Sequence, residues 1–430
     1  MNLTRFAPGR IGAGLTDDLS EVADEMVSEN RVALDHHYGL WYDRRREDHE
    51  RVRRMTGDVW APFYEQPFAR VGQCFQPVLE NGENKNSQAM SVSPDSQNGL
   101  SHYAWDGLSK YDLTKFNPWY WSRLKKFANI CDERGLVLFN ENYFQHNVLE
   151  DGAHWVDCPW RSQNNINNTG FQEPPFEVEK RIEIAPQFYD VNNPVRRALH
   201  ENYIRRNLNN FTNEPNVIQF TSGEFTGPLA FEQFWLDTIG DWENETHLHP
   251  LIALAATKNV QDAILSDAKR AAIVDVICFR YWWQTDRGLF APPGGQNQSP
   301  RQFERQWKGG PPNDENLAAM TSEYRQKFPD KAILASGEDE SFRGSWAFLC
   351  AGGSMPDLPK TTDKKLLAAI PQMQPWISES DKILWALRES GKQILIYVGA
   401  NDLPQIDLSN ETGIFDLHSV NLKNGEVKIL

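Results

Sequence analysis

Two periods of apolar residues alternate along most of this chain. Short runs rich in Val, Ile, Leu and Phe give way to stretches where apolar residues return every three or four positions. The runs read as buried strands and the stretches as amphipathic helices. Leu19 to Asn30 reads as a helix with Asp17 or Asp18 near its cap, and Val32-Ala33-Leu34-Asp35 as a short strand. Asn117 to Arg134 reads as a helix, with Pro118 in its first turn, Leu124, Phe127, Ala128 and Cys131 on one face, and Gly135 ending it. Leu136-Val137-Leu138-Phe139 follows as a strand. Helices at Val195 to Phe211, 228–246, Val260 to Lys269 and Glu315 to Phe328 then alternate with strands at Val217 to Phe220, His249 to Ala256, Val274 to Tyr281 and Ala332 to Ala335. Ser345 to Gly353 reads as one more strand with a glycine exit.

This order is the signature of a parallel α/β architecture, and the spacers suit a (β/α)8 barrel. Seven strands are counted from Val32 to Cys350; the eighth should precede the helix at Leu19. Either residues 3–7 supply a poor strand or the chain lacks an upstream segment. After a helix near residues 380–390 the pattern changes to short alternating runs: Ile394 to Val398, Gln405 to Leu408, Gly413 to Leu417 and Glu426 to Ile429. These predict a small, incomplete antiparallel β-domain. The expected division is a barrel over 1–390, with a Gln/Asn/Ser-rich surface insertion at 71–100, and a β-domain over 391–430. Two long loops, 140–194 and 285–313, interrupt the barrel pattern, and loops of that length are usually functional or disordered. The aromatics of the first argue for an ordered cleft wall.

Composition narrows the function. With 430 residues and a formal net charge of -15, the chain lacks the Lys/Arg clusters that a polyanionic nucleic acid partner requires. Arg44-Arg45-Arg46 is the one tight basic run, and Asp43, Glu47 and Asp48 dilute it. There is no apolar run long enough to span a membrane, and no apolar segment of a secretory signal near Met1. Five scattered Cys without CxxC spacing imply neither a disulfide framework nor a zinc site, and Cys278 and Cys350 read as small buried hydrophobes. The 15 Trp suit either a large core or the stacking of sugar rings.

Candidate chemistry gathers at strand ends, where parallel barrels carry it. Val217-Ile218-Gln219-Phe220-Thr221-Ser222-Gly223-Glu224 and Ala332-Ile333-Leu334-Ala335-Ser336-Gly337-Glu338 each run from a strand into a carboxylate. Two opposed carboxyls are what glycosidic bond hydrolysis needs. Glu214 in Asn213-Glu214-Pro215 lies at the wrong end of its strand and reads as structural. Asp35, His36 and Tyr38 end one strand; Asn142 and His146 follow another, and all could bond sugar hydroxyls. Arg280, Tyr281 and Trp282 end a third, as a charge clamp for an acidic sugar and a stacking platform, and Trp346 joins them as a substrate contact. Glu141 and Glu340 are the alternative catalytic carboxylates. A divalent-metal site from His36, His37, Glu141 and His146 is a competing reading without supporting ligand spacing, so no metal or other cofactor is expected. A phosphate-binding loop and a GxSxG elbow are both absent.

Trp105-Asp106-Gly107-Leu108-Ser109-Lys110-Tyr111-Asp112-Leu113-Thr114-Lys115-Phe116-Asn117-Pro118, the exit Trp346 to Gly353, Ile396-Tyr397-Val398 and Ala153-His154-Trp155-Val156-Asp157-Cys158-Pro159-Trp160 resemble segments of bacterial glycoside hydrolases of the apiosidase-like and clan A (β/α)8-barrel group, in an uncharacterised branch. The resemblance spans roughly residues 20–430. It implies a barrel acting on a complex polysaccharide or oligosaccharide by a retaining mechanism, with Glu224 as acid/base and Glu338 as nucleophile. It also implies export to the periplasm or beyond the cell. Clan A enzymes carry an Asn-Glu pair at the tip of strand four; here Ser-Gly-Glu takes that place. A catalytically inactive glycan-binding barrel is the other reading, and a metal-dependent barrel hydrolase a more distant one. Oligomeric state is left open.

Overall fold

The computed structural model of the chain describes residues 20, 23–24, 27, 33–37, 74–77, 104, 110–145, 148, 155, 158–172, 184–223, 225–296, 303, 306–335, 346–356, 358–359, 361–376, 384–398, 408–409, 411 and 413–430. Strand β1 (Ala33–His37) is followed by an antiparallel pair, β2 (Phe75–Pro77) with β3 (Tyr111–Phe116). Helix α1 (Pro118–Glu133) ends at Gly135, whose φ of 67° favours glycine, and leads into β4 (Val137–Phe144). Then come α2 (Ala185–Phe188) and α3 (Pro194–Asn210), the latter started by Pro194 and capped by the Asn193 side chain. Strand β5 (Val217–Gly223), α4 (Leu229–Thr246), β6 (Leu251–Leu254), α5 (Lys258–Ser266), α6 (Ala268–Ala271) and β7 (Val276–Phe279) continue the alternation. A hairpin of β8 (Trp283–Thr285) and β9 (Gly288–Phe290) precedes α7 (Asp314–Lys327), β10 (Ala332–Ala335), α8 (Trp346–Cys350) and α9 (Lys364–Ala369).

The main sheet has six strands in the order β1-β4-β5-β6-β7-β10, and every pairing is parallel. The order follows the chain without reversal. A doubly wound sheet reverses at a switch point, whereas a barrel sheet does not. Among the described residues no pairing joins β10 back to β1. The sheet separates two apolar layers. Leu138, Val217, Ile252, Ile277 and Ile333 pack with the helices, whereas Phe139, Ile218, Phe220, Ala253, Val276, Cys278 and Leu334 form a smaller inner cluster with Tyr281.

One ion pair shows how strongly the sheet curls. Glu141, on β4, is bonded to Arg280, one residue past β7. These strands are three places apart, and a flat sheet with about 4.8 Å between strands would separate them by roughly 14 Å. Side chains stand roughly perpendicular to a sheet, and both of these leave the inner face, so their contact favours a sheet curled about the inner layer.

Three expected elements differ. Ser345 to Gly353 is no strand: Trp346–Cys350 is the helix α8, buried at every position. A short run that is apolar throughout has no period to distinguish helix from strand. The helix expected near 380–390 is, over its described part, strand β12 (Leu384–Glu389), which pairs with β11 (Gln374–Trp376) and β13 (Gln393–Val398) in an antiparallel sheet. Partner strands override the helix preference of Leu, Ala and Glu. Gly413 to Leu417 is not a strand, though the Leu417 carbonyl accepts from the Leu430 N–H at 2.9 Å, and the last pair is β14 (His418–Val420) with β15 (Val427–Ile429). The three-stranded sheet begins at Gln374, ahead of the expected division at residue 390. Residues 402–407, and most of 71–100, lie outside the described residues.

Candidate active site

Because all six strands run the same way, their C-terminal ends share one edge: His37, Phe144, Gly223, Leu254, Phe279 and Ala335. The register sets His37 beside Glu141, and Glu141 beside Phe220. Asp35 and His36 pair with Phe139 and Asn140. Glu224 follows Gly223 directly, and Glu338 lies three residues past Ala335; both, with Tyr38, His146 and Glu340, are outside the described residues.

On the inner side, Glu141 and Arg280 are both sealed, with side chains 0% and 4% exposed. A tight turn, in which the Arg280 N–H bonds the Cys278 carbonyl at 3.1 Å, aims the guanidinium inward at once. The Arg280 guanidinium also sits 5.5 Å from the Tyr281 ring centre. Burying two charges is tolerable only when they meet with good geometry. This pair uses the positive charge expected to clamp an acidic sugar. It equally commits Glu141, which weakens the metal reading and the alternative catalytic role.

On the helix side of β4 the polar groups are neutral. Asn140 Nδ2 donates to Gln219 Oε1 at 2.8 Å and Asn207 Oδ1 at 3.0 Å. Asn142 Nδ2 donates to the same Gln219 oxygen at 2.9 Å, and Asn142 Oδ1 accepts from Trp235 Nε1 at 3.0 Å. Asn142 is thus a strut between sheet and helices, buried on the side away from the inner layer, and not the sugar contact expected of it. The extra length of β4 explains the difference: Glu141 and Asn142 stand inside the strand, on opposite sides, and not in the loop after it.

Beyond β4, Gln145 ties two tips together. Its Oε1 accepts from the Thr226 N–H at 2.7 Å and from the Tyr189 hydroxyl at 3.2 Å, and its Nε2 donates to Thr226 Oγ1 at 3.0 Å. All three residues are buried. Thr226 lies two residues past Glu224, so the segment carrying that carboxylate is anchored on both sides, by the β5 pairing and by Gln145. Under the same tip, Thr221 Oγ1 donates to Glu232 Oε1 at 2.7 Å. Glu232 is fully buried in the first turn of α4, and desolvation raises its carboxyl to about 8 against the Thr221 hydrogen bond, which lowers it. His200, stacked on Trp160 at 4.4 Å between ring centres and bonded to the Tyr143 hydroxyl, is pushed down to about 3, chiefly by burial. Thr226, Tyr189 and Glu232 were not singled out in the sequence, whereas Gln145, beyond the strand end with His146, was expected to line the cleft. The partners joined by Gln145 lie 44 and 81 residues from it, and Glu232 meets Thr221 across 11 residues, from strand to helix.

The aromatics expected at the cleft are mostly interior. Trp282 is 0% exposed and packs against Phe279 and Tyr324, so it offers no stacking face. Tyr281 belongs to the inner cluster. Trp346 lies in the core between α8 and the antiparallel sheet, where its Nε1 donates to the Leu422 carbonyl at 3.0 Å. These are corrections with one cause: aromatic residues at strand ends are as useful for closing a core as for meeting ligand. In the long 140–194 connection, Trp155, Trp160 and Phe171 are likewise buried against one another and Phe188. At the opposite edge, Glu214 accepts from Lys125 at 3.1 Å, in keeping with its expected structural role. Among the described residues no cluster of three His, Cys, Asp or Glu converges on a metal position, and no helix is long and apolar enough to cross a membrane.

Among solved structures, the chain is similar to a glycoside hydrolase at 10% identity, covering 96% of this chain and 82% of that one, with a TM-score of 0.41. A glycoside hydrolase family 5 protein from Bacteroides vulgatus ATCC 8482 aligns at 10% identity over 96% of this chain and 80% of that one, with a TM-score of 0.43. A family 5 mannosidase from Rhizomucor miehei aligns at 11% identity over 74% of this chain and 62% of that one, with a TM-score of 0.35. No curated protein matches the sequence. The model of a domain of unknown function, DUF6298, matches residues 1–76 and 93–373, most of the chain, and the chain belongs to that family.

Proposed function

We propose that this protein is a retaining glycoside hydrolase, with Glu224 as acid/base and Glu338 as nucleophile. The observation that carries the reading is the Glu141–Arg280 contact. It brings together the ends of two strands three places apart in the sheet. Strands β5 and β10 stand in the same three-place relation, run the same way, and lead into Glu224 and Glu338. The curl that joins one pair supports an approach of the other across the same mouth. A carboxyl separation of about 5–5.5 Å suits retention.

In this reading the protonated Glu224 donates to the leaving glycosidic oxygen while the Glu338 carboxylate attacks the anomeric carbon. The ionised Glu224 then takes a proton from water, which displaces the sugar from Glu338. The buried Glu141–Arg280 pair lies on the inner side of the sheet. Gln145 holds the segment after Glu224.

The test is release of reducing sugar from a panel of plant and algal polysaccharides and aryl glycosides by the purified protein, beside Glu224→Gln. Release by the wild type and a loss of roughly 10²–10⁴-fold in the variant are expected from removal of an acid/base group. Undiminished release by Glu224→Gln removes the assignment. No release by a folded wild type favours a glycan-binding barrel.

A further inference from the structure

The insertion between β7 and α7 starts and ends at the edge where the candidate carboxylates lie, since β7 ends there and the following helix begins there. It forms an open polar pocket of about 370 Å³, lined by Thr285, Asp286, Arg287, Lys308, Asn313 and Asn316 with the Gly309-Gly310-Pro311 turn. We propose that this pocket is a subsite for a negatively charged group on the sugar chain, either a uronic acid carboxylate or a sulfate ester. The proposal rests on the glycan reading and adds the class of substrate to it.

The pocket is built, not incidental. Trp283 stacks on Phe290 with ring centres 3.6 Å apart and an interplanar angle of 12°, and its Nε1 donates to the Gly310 carbonyl at 3.1 Å. A Cβ on Gly309 would fall 2.2 Å from the Trp307 ring, and Gly310 has a φ of 75°. Both glycines are therefore required for the turn to lie against its two tryptophans. The Thr285 hydroxyl donates to the Gly288 carbonyl at 3.2 Å and accepts from the Arg287 N–H at 3.2 Å, which fixes the hairpin tip. Arg287 Nη1 donates to the Lys308 carbonyl at 3.0 Å, joining the two walls.

The charges left over point to an anion. The one carboxylate in the lining, Asp286, accepts from the neutral amides Asn316 Nδ2 at 2.8 Å and Asn313 Nδ2 at 3.4 Å and keeps its charge, so with Arg287 and Lys308 the lining has a surplus of one positive charge. Among the described residues neither Arg287 nor Lys308 meets a carboxylate within ion-pair distance. In a chain of net charge -15, two neighbouring cations without an acidic partner, over a preset polar pocket, form a local positive site. Arg280 cannot serve this purpose, because Glu141 already neutralises it. A guanidinium and an ammonium can bind carboxylate or sulfate oxygens, and the amides can bond ring hydroxyls.

The experiment measures binding, not turnover, by calorimetry on the full chain with tetragalacturonate, a sulfated galactan tetrasaccharide and neutral galactotetraose. At low salt, at least one anionic probe should bind about tenfold more tightly than the neutral one, and the preference should fade as salt rises. Which anionic probe does so identifies carboxylate or sulfate. Arg287→Gln/Lys308→Gln should lose the preference, whereas Lys423→Gln/Lys428→Gln, which removes as much exposed charge elsewhere, should keep it. Equal affinity for charged and neutral probes, a preference that survives Arg287→Gln/Lys308→Gln, or no binding by any probe overturns the proposal. Charge-dependent binding without sugar release from any substrate would leave the subsite standing and remove the hydrolase reading. Release with charge-independent binding would do the reverse.

Discussion

On the helix side of β4, Asn140 and Asn142 are joined to Gln219, Asn207 and Trp235 by neutral hydrogen bonds, whereas on the inner side Glu141 meets Arg280 as a pair of full charges. Both sets are buried, and they alternate along one strand. The neutral set has the geometry of a strut: each amide reaches a helix or the neighbouring strand, and nothing is aimed at the mouth. The charged set is a larger risk to stability, because two ions leave water. It lies on the side where the strand ends converge. Polar residues on one strand thus divide by side, neutral toward the helices and charged toward the interior.

Breaking the charged pair should give the largest effect. Arg280→Met leaves the Glu141 charge buried without its partner, at a cost of about 3–5 kcal/mol. Glu141→Leu/Arg280→Met should recover most of that loss. Urea unfolding of the two single variants and the double variant measures the coupling, and additive losses would mean that the two residues act independently.

The buried carboxyl of Glu232 sharpens the comparison through pH. Its folded value is raised to about 8, above the 4.5 of a free side chain, so the unfolded chain releases this proton first. Its contribution is intact below about pH 4.5, falls as pH rises toward 8, and is then constant. The loss amounts to a few kcal/mol, on the order of 1.4 kcal/mol per pH unit. Glu232→Gln should remove this part of the decline, so the wild type should lose stability relative to the variant between pH 5 and 8. Parallel pH profiles would contradict the raised value.

Removing one strut should cost less. Asn142→Ala deprives Trp235 Nε1 of its acceptor and Gln219 Oε1 of one of its two donors, and a cost of about 1–3 kcal/mol is expected, read from the urea midpoint. It should leave the affinity for oligosaccharide unchanged; a selective loss of binding would return Asn142 to the substrate. At the far edge, Glu214→Gln removes the pairing of a buried carboxylate with the partly exposed Lys125 and should change stability by roughly 1 kcal/mol, with turnover unaffected.

The alternation of strands and helices from Leu136 to Ala335 was legible, because each element there is long enough to show its period or is bounded by Gly, Pro or a capping Asn. So was the structural character of Glu214, from its place before the strand. What escaped the sequence was the direction of side chains and the length of β4. Asn142 and Arg280 stand where ligand contacts were expected, yet the strand's alternation turns one to the helices, and the curl of the sheet hands the other to Glu141. Trp282 and Trp346 show the same gap: an aromatic residue near a strand end looks alike in sequence whether it seals a core or faces a ligand. The Gln145 clamp and the buried Glu232 depend on partners that only the folded chain brings near.

The most direct test of the two-carboxylate account is azide rescue on a substrate with a good leaving group, comparing Glu224→Ala with Glu338→Ala. The account expects azide to restore turnover in both. The glycosyl azide should keep the substrate's configuration with Glu224→Ala, because the covalent intermediate still forms, and should be inverted with Glu338→Ala, because azide replaces the nucleophile. Products of the opposite configuration would exchange or refute the roles, and near wild-type turnover by either variant without azide would contradict the account itself.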